Sequence, residues 1–264
     1  MPRVADDLAR RRAERRPETP AERGLQGAVR RSTFGLISPA PGRRELELNA
    51  DLAAIERRFG GLRQVTVVNP AVGAGKSVAV TLLALTFGRR RDGSVLAWDT
   101  GEAPDAPEIQ RLDGFDALAS AGSTVDFAAA RDELGAAYEL LVVGTGNDIQ
   151  SPDWQAAVDA TDQLVVTVFG RHESAESAAR LVDLLERSGR VRMVRSAVTI
   201  VSLPHSLREF DAGGIERHFA ARTRAVVRIP YDRALEDRPI DYRQVADITR
   251  LAWIRAAAAV ADGL

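Results

Sequence analysis

The fold of this chain is decided by the stretch VTVVNPAVGAGKSVAV, which spans residues 65–80. Its first residues are mostly β-branched, which is typical of a strand. The apolar segment 76–88 ends at a glycine and is predicted to be a buried helix. Between them lies most of the pattern G-x-x-x-x-G-K-[ST], with Lys76 and Ser77 in its last two places. The backbone N–H groups and the lysine of such a loop bind phosphate, and its hydroxyl binds Mg²⁺.

The loop differs from the full pattern at its first position, where Pro70 replaces glycine. Proline fixes φ and removes one N–H donor, so the motif is incomplete. The strand–loop–helix context favours nucleotide binding over the alternative, a glycine-rich turn with a surface lysine. The residues predicted to bind the nucleotide in this loop are Gly73, Ala74, Gly75, Lys76, Ser77 and Val78.

Lysine usage supports this interpretation. Lys76 is the single lysine among 36 basic residues of the chain. Arginine is larger and planar, and it does not replace the point charge of a lysine at a phosphate. A chain that uses arginine everywhere else is therefore expected to keep Lys76 for its chemistry.

Strand and helix patterns alternate along the rest of the chain. Continuous apolar runs favour strands covered on both faces, at residues 64–69, 94–99, 115–120, 138–144, 162–169, 196–202 and 223–230. Helices are predicted at residues 45–59, 76–88, 151–160, 173–189, 211–223 and 243–264. This alternation predicts an α/β fold with a doubly wound, mostly parallel sheet flanked by helices.

Charge divides the chain into two parts. Residues 1–44 hold eleven arginines against five acids, a net charge of +6, and since the whole chain carries -1 the remainder carries -7. We predict a basic, disordered tail and linker over 1–44 and one domain over 45–264. The tail is either a solvated arm or a segment that binds nucleic acid or an anionic membrane surface through its positive charge.

Composition excludes several classes of protein. Cysteine is absent, which excludes disulfides, thiolate metal sites and cysteine nucleophiles. The three histidines lie far apart in sequence and show no metal-ligand spacing. No apolar stretch is long enough to span a membrane, and the amino terminus lacks the apolar region of a secretory signal. We therefore expect a cytoplasmic protein.

Six segments together resemble the ParA/MinD family of deviant-Walker P-loop ATPases, in particular an actinobacterial branch, over roughly residues 30–264. The segments are VTVVNPAVGAGKSVAV (65–80), GSVLAWDTGE (93–102), YELLVVGTGNDIQSPDWQAAVDATDQLVV (138–166), ESAESAARLVDLLE (173–186), HFAARTRAVVRIPYD (218–232) and LAWIRAAAAVADGL (251–264). The resemblance implies ATP and Mg²⁺ as ligands, an ATP-sandwich dimer, and a role in positioning DNA, plasmids or protein assemblies. It also implies base contacts from Pro230, Tyr231 and Asp232, with Ser202 at a second base position.

The chain departs from the family's loop, which resembles K-G-G-x-G-K-[ST]. Ala71 stands where the family has a lysine that reaches the partner's phosphate, and Val72 stands where it has a glycine. Gly144 occupies the place of the Walker B aspartate, which holds Mg²⁺ through water in the family. The resemblance therefore implies that this chain lacks two charged groups of the family's active site, one in the loop and one after a later strand.

The carboxylates after the second strand are also altered. Asp99 keeps the family's strand-end aspartate, but Gly101 replaces the acid two positions later and Glu102 lies one residue further on. Removing one group that stabilises a transition state commonly costs about 10²–10³ in rate, and such losses do not simply add. We therefore predict ATP binding with weakened or lost hydrolysis, Ser77 and Asp99 as Mg²⁺ ligands, and Asp99 as the remaining catalytic carboxylate.

Two alternatives stay open. The first is an active ATPase whose carboxylates are relocated to Glu102 or Asp148. The second is a non-enzymatic interaction protein with a vestigial loop. The expected partners are ATP or ADP, a second copy or an intact relative that supplies the missing lysine, and DNA through the basic tail. The alanine-rich final helix carries few basic residues, which disfavours membrane binding.

Overall fold

The computed structural model describes residues 42–91, 94–100, 108–112, 114–119, 127–208, 210–236 and 239–264. These residues form one eight-stranded sheet. Its strands are β1 (Arg63–Val68), β2 (Val95–Asp99), β3 (Glu108–Arg111), β4 (Asp116–Ala119), β5 (Leu140–Gly144), β6 (Gln163–Phe169), β7 (Val198–Ser202) and β8 (Ala225–Ile229).

Helices separate most of the strands. They are α1 (Arg43–Glu56), α2 (Lys76–Gly88), α3 (Phe127–Leu134), α4 (Pro152–Asp159), α5 (His172–Arg187), α6 (Val191–Ser196), α7 (Ala212–Ala220) and α8 (Asp247–Ala261), with a 3-10 turn at Arg233–Leu235. The N-cap of α4 is Ser151, whose hydroxyl accepts a hydrogen bond from Trp154 N at 3.2 Å. A serine before Pro152 predicts this start, and the prediction is confirmed.

The strand order is β3-β4-β2-β5-β1-β6-β7-β8. All neighbouring strands are parallel except β3 and β4, which are antiparallel. This confirms the predicted doubly wound, mostly parallel α/β fold. After β1 the chain adds strands on one side of it, beginning with β2, and later adds β6 directly on its other side. In such sheets ligands bind outside the carboxyl ends of the strands, near this switch point.

Both faces of the sheet are covered, as the continuous apolar runs predict. Val65 and Val67 of β1 pack into the core that contains α2 and α8. Val68 belongs to the core on the other face, with residues of α4, α5, α6 and α7. The seven predicted strands and six predicted helices are therefore all present, because each of them buries apolar side chains.

Three short elements lie outside the sequence prediction. The edge strand β3 has the sequence EIQR, and Ile109 is exposed. The helices α3 and α6 have eight and six residues. Short elements carry too few apolar positions to establish a period. The last helix also begins at Asp247 instead of residue 243, because Asp241 caps a turn by accepting a hydrogen bond from Arg243 N at 3.0 Å.

The chain divides into two units, residues 1–51 and 52–264. The first is described from residue 42 onward, where Arg43 and Glu47 form an ion pair of 2.9 Å within α1. The second contains the sheet and the phosphate loop. The predicted division into a tail over 1–44 and a domain over 45–264 stays a prediction, since residues 1–41 lie outside the described residues. Among the described residues, no helix is long and apolar enough to cross a membrane.

The buried helix α2 is expected to dominate the stability of the fold. Leu83 is fully buried, whereas Ile248 of α8 is 68% exposed. We predict that Leu83→Ala lowers the free energy of unfolding by about 2–5 kcal/mol, while Ile248→Ala changes it by no more than about 0.5 kcal/mol. Urea unfolding of both variants checks this. Equal losses would contradict the assignment of α2 to the core.

Candidate nucleotide-binding site

Two glycines set the backbone of the loop between β1 and α2. Gly73 and Gly75 adopt left-handed conformations, with φ of 69° and 82°. Residues with a side chain rarely adopt this conformation, which explains why glycine stands at both positions. Gly75 is the N-cap of α2 and offers no side chain to the first N–H groups of the helix. These groups carry the positive end of the helix dipole and are suited to an anion.

Asn69 fixes the start of this loop, a role that the sequence analysis missed. The side chain is fully buried. Its amide nitrogen donates hydrogen bonds to Thr167 O (2.7 Å) and Ser174 O (3.1 Å), and its Oδ1 accepts one from Ala71 N (2.9 Å). Asn69 therefore connects the loop to both sides of the β6–α5 junction. The sequence feature that could have indicated this role is a polar residue directly after an apolar strand.

The β6–α5 junction also packs against the two glycines. A Cβ atom placed on Gly75 would lie 3.6 Å from the ring of Phe169. One placed on Gly73 would lie 3.5 Å from Nη2 of Arg171. The loop is thus held from one side by this junction, and Val72 at its tip is 82% exposed.

Lys76 points back along the loop. Its Nζ donates hydrogen bonds to Asn69 O (2.8 Å) and Asn147 Oδ1 (2.7 Å). Burial lowers the pKa of Lys76 below its usual value, and the negative charge of Asp99 acts in the opposite direction. A desolvated ammonium group gains from an added anion, which a phosphate would supply.

Asp99 lies beside Gly144, the residue predicted to replace the Walker B aspartate. The two residues are register partners in β2 and β5. A Cβ atom on Gly144 would lie 3.5 Å from Asp99 Oδ1. Thr100 fixes this neighbourhood, since its N and its Oγ1 both donate to Gly144 O at 2.9 Å. A Cβ atom on Gly144 would also lie 2.9 Å from Val80 Cγ2, so Asp99 and Val80 together enclose Gly144.

Of the other two candidate carboxylates, Asp148 lies within the described residues and Glu102 does not. Asp148 Oδ1 accepts a hydrogen bond from Gln150 N at 2.9 Å, and Asp148 O accepts one from Ser151 Oγ at 3.0 Å. Asp148 thus shapes the loop before α4. Glu102 and Gly101 lie outside the described residues, as does the basic segment 1–41. Ser77 is the second residue of α2, next to Lys76.

The predicted base-binding residues follow β8. Tyr231 stacks on His205, with ring centroids 4.9 Å apart and an interplanar angle of 17°. Asp232 is engaged by its own loop, because its two oxygens accept hydrogen bonds from Ala234 N (3.0 Å) and Ala246 N (2.8 Å). Base contacts from Asp232 therefore compete with these bonds, whereas Tyr231 is 38% exposed.

Similarity to known proteins was found only at the level of structure. No family model and no curated protein sequence matches the chain. The cell division ATPase MinD of Pyrococcus furiosus aligns over 75% of this chain and 98% of its own, with 15% identity and a TM-score of 0.58. A ParA family ATPase of Chlorobium tepidum aligns over 75% and 96%, with 15% identity and a TM-score of 0.56.

This chain has the ParA/MinD fold. The fold also carries other chemistry, since cobyrinic acid a,c-diamide synthase of Mycobacterium smegmatis aligns over 74% of this chain and 93% of its own, with 13% identity and a TM-score of 0.54. That protein was solved with an ATP analogue and magnesium. Within the described residues no three His, Asp or Glu side chains group as a metal cluster. The Mg²⁺ ligands Ser77 and Asp99 therefore stay a prediction.

Removal of the Asn69 side chain is expected to lower both stability and nucleotide binding. Asn69→Ala leaves Ala71 N, Thr167 O and Ser174 O without their partner, and one buried unsatisfied group alone costs about 1–3 kcal/mol. We expect the free energy of unfolding to fall by at least about 2 kcal/mol, and phosphate-ligand binding to weaken. Asn147→Ala is the control for stability, because Asn147 is exposed. Arg180→Ala is the control for binding, because Arg180 is an exposed residue of α5 paired with Glu176.

Chemical unfolding measures the first effect and nucleotide titration the second. An Asn69→Ala protein as stable as the Asn147→Ala protein would contradict the role assigned to Asn69.

Proposed function

We propose that this chain is an ATP-binding protein of the ParA/MinD type, with weakened or lost hydrolysis, that acts as a switch or scaffold in positioning DNA or protein assemblies. The observation that carries the proposal is the loop Gly73–Ser77. Its glycines have the required backbone, and the single lysine of the chain lies within it, desolvated.

ATP binding is supported by groups that remain intact. The backbone N–H groups at the start of α2 and the ammonium group of Lys76 are the parts of such a loop that contact phosphates. Lys76 Nζ donates to uncharged oxygens of Asn69 and Asn147, which a phosphate oxygen would outcompete because it carries charge. Binding therefore depends little on the positions that the chain has lost.

Weak hydrolysis follows from those lost positions. Phosphoryl transfer depends on positioning and charge stabilisation, and Ala71 and Gly144 carry no charge. Mg²⁺, when bound, would neutralise phosphate charge, and Ser77 with Asp99 would hold it. The second candidate is an active ATPase whose carboxylates are relocated to Glu102 or Asp148, with Asp99 retained beside Gly144.

The biological role rests on the similarity of fold. MinD is a cell division ATPase by name, and a plasmid partition protein of Borrelia burgdorferi with bound AMPPNP also matches, at 11% identity and a TM-score of 0.55. We extend to this chain a role in positioning, with a homodimer or a heterodimer with an intact relative as the assembled state. DNA binding is assigned to the basic segment within residues 1–44.

Thermal melting tests nucleotide binding. A ligand that binds the native state alone stabilises it by about 2.7 kcal/mol at a hundredfold excess over Kd, which raises Tm by several degrees. We expect Mg-ATP to raise Tm of the unmodified chain but not that of Lys76→Ala. Arg180→Ala is the control, because Arg180 is an exposed residue of α5 paired with Glu176. No shift in the unmodified chain would favour the vestigial loop.

Two aspartate variants test which carboxylate holds Mg²⁺. If Asp99 holds Mg²⁺, Asp99→Asn removes most of the gain in ATP affinity that Mg²⁺ provides, whereas Asp148→Asn leaves it unchanged. Titration with ATP, with and without Mg²⁺, measures both. The reverse order would assign the metal to Asp148. Steady phosphate release that Lys76→Ala and Asp99→Asn both abolish would establish the active ATPase instead of the weakened one.

A further inference from the structure

An arginine outside the sequence motif lies against the phosphate loop. Arg171 is the N-cap residue of α5 and follows β6, the strand beside β1. Its Nη2 lies 3.5 Å from the position of a Cβ atom on Gly73. The residue is exposed. Among the described residues, none accepts a hydrogen bond from its guanidinium group or forms an ion pair with it.

The backbone on both sides of Arg171 is tied to the loop. Asn69 donates to Thr167 O, four residues before Arg171, and to Ser174 O, three residues after it. Ser174 Oγ also accepts a hydrogen bond from Phe169 N at 3.1 Å. These bonds fix the position of residue 171 relative to Gly73. The guanidinium group is therefore carried by a backbone position beside the loop.

The loop itself offers few positive charges to a bound triphosphate, and Arg171 would add one. Lys76 supplies one positive charge to a triphosphate, and Ala71 supplies none. Arginine presents a planar set of donors that matches phosphate oxygens, and its charge persists at all physiological pH values. An exposed guanidinium beside the left-handed Gly73 is in reach of an anion held by the loop.

We infer that Arg171 is a second phosphate-binding cation of this site, an inference that rests on the proposed ATP binding. It supplies, from the β6–α5 junction of the same chain, a positive charge that the loop itself lacks at Ala71. A single chain then binds the triphosphate with two cations, and ATP affinity does not require a lysine from a partner.

The test compares Arg171→Gln and Arg171→Lys with the control Arg180→Gln, using the full chain and Mg-ATP as the probe. Calorimetric titration at low and high salt gives Kd. Loss of one charge-assisted contact corresponds to about a tenfold or larger rise in Kd. We expect that rise for Arg171→Gln, with a shallower salt dependence because one screened charge pair is gone. Arg171→Lys should lose less, and Arg180→Gln nothing.

The outcomes separate this inference from the proposed function. If the unmodified chain binds no ATP, both are overturned. If it binds ATP and Arg171→Gln binds it equally well, only the inference is overturned. If Arg171→Gln weakens binding without changing its salt dependence, Arg171 shapes the loop and does not contact phosphate, which also overturns the inference.

Discussion

The hydrogen bonds of the buried Asn69 side chain are the interaction on which the site depends. They join the end of β1 to the β6–α5 junction at Thr167 and Ser174, and they hold Ala71 N at the start of the loop. Because the side chain is buried, its bonds are shielded from competing water. The glycines, Lys76 and Arg171 all take their relative positions from this connection.

Binding and hydrolysis depend on different parts of the site. The proposed phosphate binding uses backbone N–H groups and Lys76, which one chain supplies without a partner. Hydrolysis needs charges placed for the transition state, and in this chain Ala71 and Gly144 have none. The Asp99 carboxylate lies beside Gly144, so the described part of the chain keeps one acid at this pair of strand ends. This arrangement supports the proposal that the chain binds ATP with weakened or lost hydrolysis.

The sequence predicts the fold because the buried elements are long and apolar. The helix Lys76–Gly88 has the predicted bounds, and Ser151 caps α4 as expected. The glycine loop between β1 and α2 is predictable for a different reason, because its sequence pattern is local. The hydrogen bonds of Asn69 and the role inferred for Arg171 arise from contacts with residues about a hundred positions away, which no local pattern encodes. The proximity of Asp99 to Gly144 likewise depends on the register of β2 and β5.

The most direct test of this account is the fate of ATP bound to the chain. Radiolabelled Mg-ATP would be bound, the complex isolated by rapid gel filtration, and the ratio of ATP to ADP on the protein followed over time. We predict that nucleotide stays with the protein and is converted to ADP slowly or not at all. A protein fraction without nucleotide would contradict the binding loop, and rapid conversion to ADP would contradict the loss of hydrolysis.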